Sequence, residues 1–141
     1  MSIFITIFAG VMVFVLGQFI LKLVLEPIQE LKKTLALVQE DMVFYANKLT
    51  NPKSVNIEQE EEIRNRLRRY ASSLIGTISI IPYYAWWSKM QLVPEKSIIL
   101  EVKSNLVGLS NSIGPKENVS PKDNYEEIEK IKELLGSQDS H

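Results

Sequence analysis

Four arginines within six positions are the side chains in this sequence best suited to bind an anionic group. They are Arg64, Arg66, Arg68 and Arg69, and guanidinium groups bind the phosphates of lipids and nucleic acids. Helical spacing spreads the four around the helix axis, and four glutamates lie immediately upstream. The charges of the chain nearly cancel, with 16 Lys plus Arg against 17 Asp plus Glu. Lipid contact therefore stays open, while a nucleic-acid partner is not favoured.

The residue types on which most catalytic and metal sites depend are almost missing. The chain has no cysteine and a single histidine, the terminal His141. These facts exclude disulfides, thiolate ligands and a cysteine nucleophile, and they argue against a histidine base. No phosphate-binding glycine loop, nucleophile elbow or HExxH motif is present. We therefore expect no catalytic residue, no metal and no cofactor, and a protein that is not an enzyme.

The glutamate run is typical of a helix N-terminus. Asn56 and Gln59 have the spacing of a capping box, and acidic residues in the first turn suit the helix dipole. The spacing also predicts ion pairs from Glu60 to Arg64 and from Glu62 to Arg66. A helix is expected over 57–81, where Pro82 ends it.

The uncharged stretch 71–88 has two interpretations. Small polar residues and Pro82 interrupt it, which favours a buried core helix. The alternative is a second or re-entrant membrane segment, with the aromatic cluster of Tyr83, Tyr84, Trp86 and Trp87 at the membrane interface.

The N-terminal segment predicts a membrane span. No charged side chain precedes Lys22, and the apolar run is long enough to cross about 30 Å of hydrocarbon as a helix. A cleaved signal peptide would have a basic start and a shorter apolar run. Lys22, Lys32 and Lys33 follow the span, so the positive-inside rule places the C-terminal domain in the cytoplasm. We expect a single-pass protein of the bacterial inner membrane with its N-terminus outside, in contact with membrane lipids.

Small residues on one face of the span predict helix association. Gly10 and Gly17 lie two turns apart, and small residues let membrane helices approach closely. The predicted association face consists of Gly10, Phe14, Gly17, Gln18 and Leu21. Glycines are also common in membrane helices by chance, which is the alternative.

A heptad pattern follows the span. Its apolar positions, spaced three and four apart, are Ile28, Leu31, Leu35, Val38, Met42, Tyr45 and Leu49. Such a seam predicts a coiled coil with another chain or packing against later helices of the same chain. The phase of the seam runs back into the Gly10 and Gly17 face.

Together these patterns predict an all-α fold in which one transmembrane helix continues into a small cytoplasmic bundle. We expect the transmembrane helix over 1–26, the helical domain over 27–136 and a disordered tail over 137–141. The domain helices are expected over 27–49, 57–81, 94–110 and 125–135, with Pro94 starting the third and Asn124 capping the fourth.

Two resemblances bear on function. Arg64-Asn65 on a helix resembles the start of the HEPN ribonuclease motif, but Arg69 or Tyr70 stands where that motif has histidine, so no catalytic residue is carried over. A broader similarity covers about residues 5–112 and includes Phe19-Ile20-Leu21-Lys22, Tyr45-Ala46-Asn47 and Leu106-Val107-Gly108-Leu109. These segments resemble a group of small bacterial single-pass membrane proteins. The layout is also similar to the accessory membrane proteins of type VI CRISPR systems, which implies a degenerate HEPN-like domain and assembly into pores.

We therefore expect a self-associating, non-catalytic membrane protein that forms a homo-oligomeric assembly or pore in phage defence. The first alternative is a membrane-tethered adaptor that presents its helical domain to a cytoplasmic protein partner. The second is a degenerate HEPN-like RNA-binding protein.

Overall fold

The computed structural model describes residues 2–46, 56–113 and 121–136. All regular elements in these ranges are helical, which confirms the all-α prediction. In chain order they are α1 (Ser2–Ile20), a π-helical turn (Leu21–Leu25), α2 (Glu26–Phe44), α3 (Ile57–Ile80), α4 (Tyr84–Lys89), α5 (Lys96–Ser112) and α6 (Pro121–Gly136). Leu49 and the tail 137–141 lie outside the described residues.

The first two helices and the π turn form one uninterrupted helix of 43 residues, Ser2–Phe44. It is long and apolar enough to cross a membrane, and within the described ranges it alone meets that test. No residue of α1 is buried, whereas α2 carries one wall of the core. We call the exposed part, 2–23, the stem.

The π turn has a chemical cause in Pro27. Proline has no N–H, and its ring collides with the carbonyl four residues earlier in a regular helix. Here the backbone N–H of Glu26 bonds to the carbonyl of Leu21, five residues back. The π turn thus adds one residue to the helical repeat, which rotates all later side chains by about 100°. The predicted continuity of phase between the Gly10 and Gly17 face and the heptad is therefore wrong.

The bundle is built on α3, which packs between α2 and α5, while α6 covers α5 and α2. Asn56 caps α3 as predicted, because its side-chain oxygen accepts the backbone N–H of Gln59 at 2.9 Å. The core is a single cluster to which α2, α3, α5 and α6 contribute fully buried side chains, among them Leu31, Leu74, Leu106 and Ile131. The inner face of α3 includes Ala71, Leu74 and Ile78, so the first half of 71–88 is a core helix.

Several helix boundaries differ from the expected ones. α2 ends at Phe44, because Tyr45 leaves helical geometry with φ −93° and ψ 1°. α5 begins at Lys96, two residues after Pro94, and α6 begins at Pro121, ahead of the expected cap Asn124. Proline suits the first turn of a helix, where its missing N–H has no intrahelical partner.

Gly108 lies where α5 meets α6. A Cβ at Gly108 would stand 2.6 Å from a carboxylate oxygen of Glu127. That oxygen is the far end of a flexible side chain, so the contact constrains the Glu127 carboxylate and not the two helix backbones.

Candidate functional site

The predicted association face of the stem is open in the single chain. A Cβ built on Gly10 or Gly17 meets no atom within 4 Å. Phe14 and Leu21 are exposed, as is Gln18, and Phe14 and Gln18 line a shallow apolar depression on the helix surface. An amide beside small residues is the combination that another membrane helix can pack against and hydrogen-bond to.

The heptad seam lies inside the bundle. Ile28, Leu31, Leu35, Val38 and Met42 are buried, and Tyr45 is half-buried against the core. α2 makes these contacts with α3 and α6 of its own chain. The seam is therefore occupied intramolecularly, and its buried side chains are not available for a coiled coil with a second chain.

The four arginines do not form a patch. Arg66 pairs with Asp41 at 3.3 Å and Arg68 donates to the side-chain oxygen of Asn111 at 3.3 Å. Arg64 is half-buried, whereas Arg69 is exposed. Among the described residues, Arg66 pairs with Asp41 across the α2–α3 contact and not with Glu62 as predicted.

A polar cluster joins α2 to α3 and is centred on Asp41, which is only 7% exposed. Its carboxylate accepts a hydrogen bond of 2.7 Å from the hydroxyl of Tyr70, besides the contact with Arg66. Arg66 also donates to the hydroxyl of Tyr45 at 3.3 Å. We call these four residues the Asp41 cluster.

The electrostatics of the Asp41 cluster indicate a structural role. Burial, followed by the hydrogen bond to Asp41, raises the pKa of Tyr70 to about 12. The neighbouring Asp41 carboxylate raises the pKa of Arg66 above its usual value. At neutral pH the phenol is therefore protonated and the guanidinium charged, so neither serves as a base. The arrangement fastens α2 to α3, and sequence reasoning missed it.

One signal for that cluster was present in the sequence. Thr34 and Asp41 stand one heptad apart beside the apolar seam, and both are buried. A carboxylate at such a position is expected to have a partner, because burial of an unpaired charge is costly.

A groove of about 350 Å³ opens on the side of the bundle. Leu35, Ala36 and Gln39 of α2 form one wall, and the segment 91–94 with Leu135 forms the other. Its lining mixes polar and apolar side chains, with Lys32 at its edge. Among the described residues, no three His, Cys, Asp or Glu side chains are grouped to hold a metal ion.

Comparison with known proteins leaves the chain without an assigned family. No protein-family model matches it, and neither a curated protein nor a solved structure shows significant similarity to it. The resemblances noted in the sequence therefore stay predictions.

Proposed function

We propose that this chain is a single-pass protein of the bacterial inner membrane that self-associates through its stem and has no catalytic activity. The observation that supports this proposal is the difference in exposure of apolar side chains between the two parts of one helix. All stem residues are exposed in the single chain, and most of them are large and apolar. The same helix, continued as α2, buries most of its apolar residues inside the bundle. Apolar surface of that extent requires lipid or other membrane helices around it.

The orientation in this proposal depends on charge. Lys22, Lys32 and Lys33 follow the span within a few residues, the distance over which the positive-inside rule acts. The bundle then lies in the cytoplasm and the N-terminus outside. N-terminal sequencing of protein extracted from membranes tests the alternative of a cleaved signal sequence, because an uncleaved protein still contains the stem.

Association through the stem is supported by the open glycine face and by the π turn. Without the π turn, the Gly10 and Gly17 face would continue towards the side of α2 that the other helices cover. The added residue rotates the two faces apart by about 100°. A second stem can then approach the glycines without meeting the bundle below. A membrane assembly or pore in phage defence is the role that the layout resemblance suggests for such an oligomer.

Chemical crosslinking in membranes tests the association. The Gly10→Ile, Gly17→Ile double variant should lose the crosslinked oligomer, because two added side chains hold the helices apart. Ala9→Ile, which adds a similar side chain off the predicted face, should retain it. A protein that is monomeric in membranes, or an oligomer that survives the double variant, contradicts the proposal.

A membrane-tethered adaptor is the second candidate, and the side groove favours it. Ala36→Trp would fill the groove, whereas Gly10→Ile with Gly17→Ile would not alter it. An adaptor should recover a stoichiometric partner from solubilised membranes, and Ala36→Trp should lose that partner while self-association persists. Recovery of the chain alone supports the first proposal.

A further inference from the structure

The short helix α4 carries an aromatic cluster whose members point in two directions. Tyr84 donates its hydroxyl to the carbonyl of Pro94 at 2.6 Å, and the indole N–H of Trp87 donates to the carbonyl of Pro82 at 2.9 Å. Tyr83 and Trp86 are instead 86% and 54% exposed. The inward pair fixes the helix to the bundle, and the outward pair presents two large rings to the surroundings.

The backbone on both sides of α4 holds this presentation in place. Tyr83, directly before the helix, has φ 54° and ψ 42°, a left-handed conformation that a bulky side chain rarely adopts. Gln91, after the helix, has φ 60°. Its N–H bonds to the carbonyl of Ser88, and the N–H of Leu92 bonds to that of Trp87. These two bonds make a complete Schellman motif, which stops the helix at a fixed point.

The register of α2 and α3 gives the location of α4. The bond between Tyr70 and Asp41 aligns the two antiparallel helices. Ten residues further along α3, about 15 Å away, Ile80 is level with Leu31. The chain returns beside α2 only at 91–94, which shares the groove with Lys32 and Leu35. α4 therefore lies at the end of the bundle from which the stem emerges.

We propose that Tyr83 and Trp86 lie in the headgroup layer of the same membrane that the stem crosses, so that α4 is a second, interfacial attachment of the bundle. This inference rests on the proposed membrane insertion of the stem. Rings that are apolar in body and polar at one atom favour the boundary between hydrocarbon and water. Exposed Ile80 and Met90 extend the apolar surface beside them.

The rings, and not net charge, provide this attachment. The cations at this end of the bundle include Lys22, Lys32, Lys33, Lys89 and Lys96, and the acids include Glu26, Glu30 and Glu95. The named cations outnumber the named acids by two, a small excess, and the attachment by the rings should persist in zwitterionic lipid, where no net headgroup charge attracts the lysines. The attachment through α4 fixes the tilt of the bundle relative to the membrane surface. The continuous helix that joins the stem to the bundle through the π turn does not determine this tilt alone.

The tryptophans themselves provide the test, since Trp86 and Trp87 are the only two in the chain. The protein and its Trp86→Phe variant are each reconstituted into phosphatidylcholine vesicles. The tryptophan fluorescence of the variant comes from Trp87, and its subtraction from the fluorescence of the parent gives the contribution of Trp86. Bromines placed near the headgroups should quench the Trp86 fluorescence at least twofold more than bromines at the chain ends. Aqueous iodide should quench it little.

A matched control carries a tryptophan at the other end of the bundle. Trp86→Phe with Tyr125→Trp keeps two tryptophans and moves one to an exposed site on α6. That tryptophan should be quenched by iodide and not by brominated lipid. Circular dichroism of each variant should match that of the parent, which shows that the bundle is folded.

Three outcomes overturn the inference, and they are distinguishable. If iodide quenches Trp86 and lipid bromines do not, the helix faces water or a protein partner. If chain-end bromines quench most strongly, the segment enters the membrane deeply. If alkaline carbonate releases the chain from the vesicles, the stem is not inserted, and the proposed function fails together with this inference. If the chain stays in the vesicles but Trp86 is exposed to water, only the interfacial attachment is refuted.

Discussion

Removal of single members of the Asp41 cluster should cost stability in an order that the geometry fixes. The hydroxyl of Tyr70 donates to Asp41 at 2.7 Å in a half-buried setting, whereas Arg66 reaches the same carboxylate at 3.3 Å with a side chain that is 44% exposed. A short hydrogen bond to a charged acceptor contributes about 1.5–3 kcal/mol. A solvent-screened ion pair contributes about 0.2–1 kcal/mol. Tyr70→Phe should therefore lower the free energy of unfolding by about 2 kcal/mol and Arg66→Gln by about 0.5 kcal/mol.

Urea unfolding of the full chain in detergent micelles, followed by tryptophan fluorescence, measures both values. The two tryptophans report on the bundle, and the stem should remain helical in the micelle. Asp41→Asn keeps an acceptor for Tyr70 and removes the charge, so its cost should fall between those of the two other variants. If Arg66→Gln costs as much as Tyr70→Phe or more, the ion pair and not the hydroxyl fastens α2 to α3, and the reasoning is refuted.

Three further predictions concern the turn, the tyrosines and the core. Gln91→Gly should stabilise the bundle by about 0.5–1 kcal/mol in urea unfolding, because glycine adopts the left-handed position of the Schellman motif without strain; a loss of stability would contradict the geometry of the turn. Burial raises the pKa of both Tyr70 and Tyr84 to about 12, so the folded state holds their protons more tightly than the unfolded chain. That stability is fully present below about pH 10 and is lost as the pH rises towards 12; an alkaline titration followed by circular dichroism should show unfolding in this window, and a midpoint below pH 9 would refute the assignment. Leu106→Ala should cost about 2–5 kcal/mol because its side chain is 0% exposed, whereas Leu100→Ala, 43% exposed on the same helix, should cost under about 1 kcal/mol; equal costs would place the core elsewhere.

Periodicity predicted much of the fold because it reports directly on which side chains are buried. The spacing of Leu31, Leu35 and Val38 identified the inner face of α2, and the Asn56 cap located the start of α3. The same periodicity does not specify the partner of an apolar face. A seam that packs within one chain and a seam that packs between chains have the same sequence pattern, so only the structure assigned it to the bundle.

Other features depend on local backbone geometry or on how helices that are distant in sequence align. Both leave only weak signals in a single sequence. Pro27 indicated a kink or a helix start, but whether a π turn forms there depends on the neighbouring carbonyls. The pairing of Asp41 with Tyr70 joins residues 29 positions apart and follows only from how two helices align. The left-handed conformation of Tyr83 runs against the preference of its residue type, so no propensity predicts it.

Disulfide crosslinking at single cysteines tests the central claim of stem association most directly, since the chain contains no cysteine of its own. Phe14→Cys and Leu21→Cys stand on the Gly10 and Gly17 face, and Met12→Cys and Phe19→Cys stand on the opposite side of the helix. Oxidation in native membranes should give dimers at the first two positions and few at the last two. Equal crosslinking at all four positions, or none at any, would contradict a stem that associates through one face.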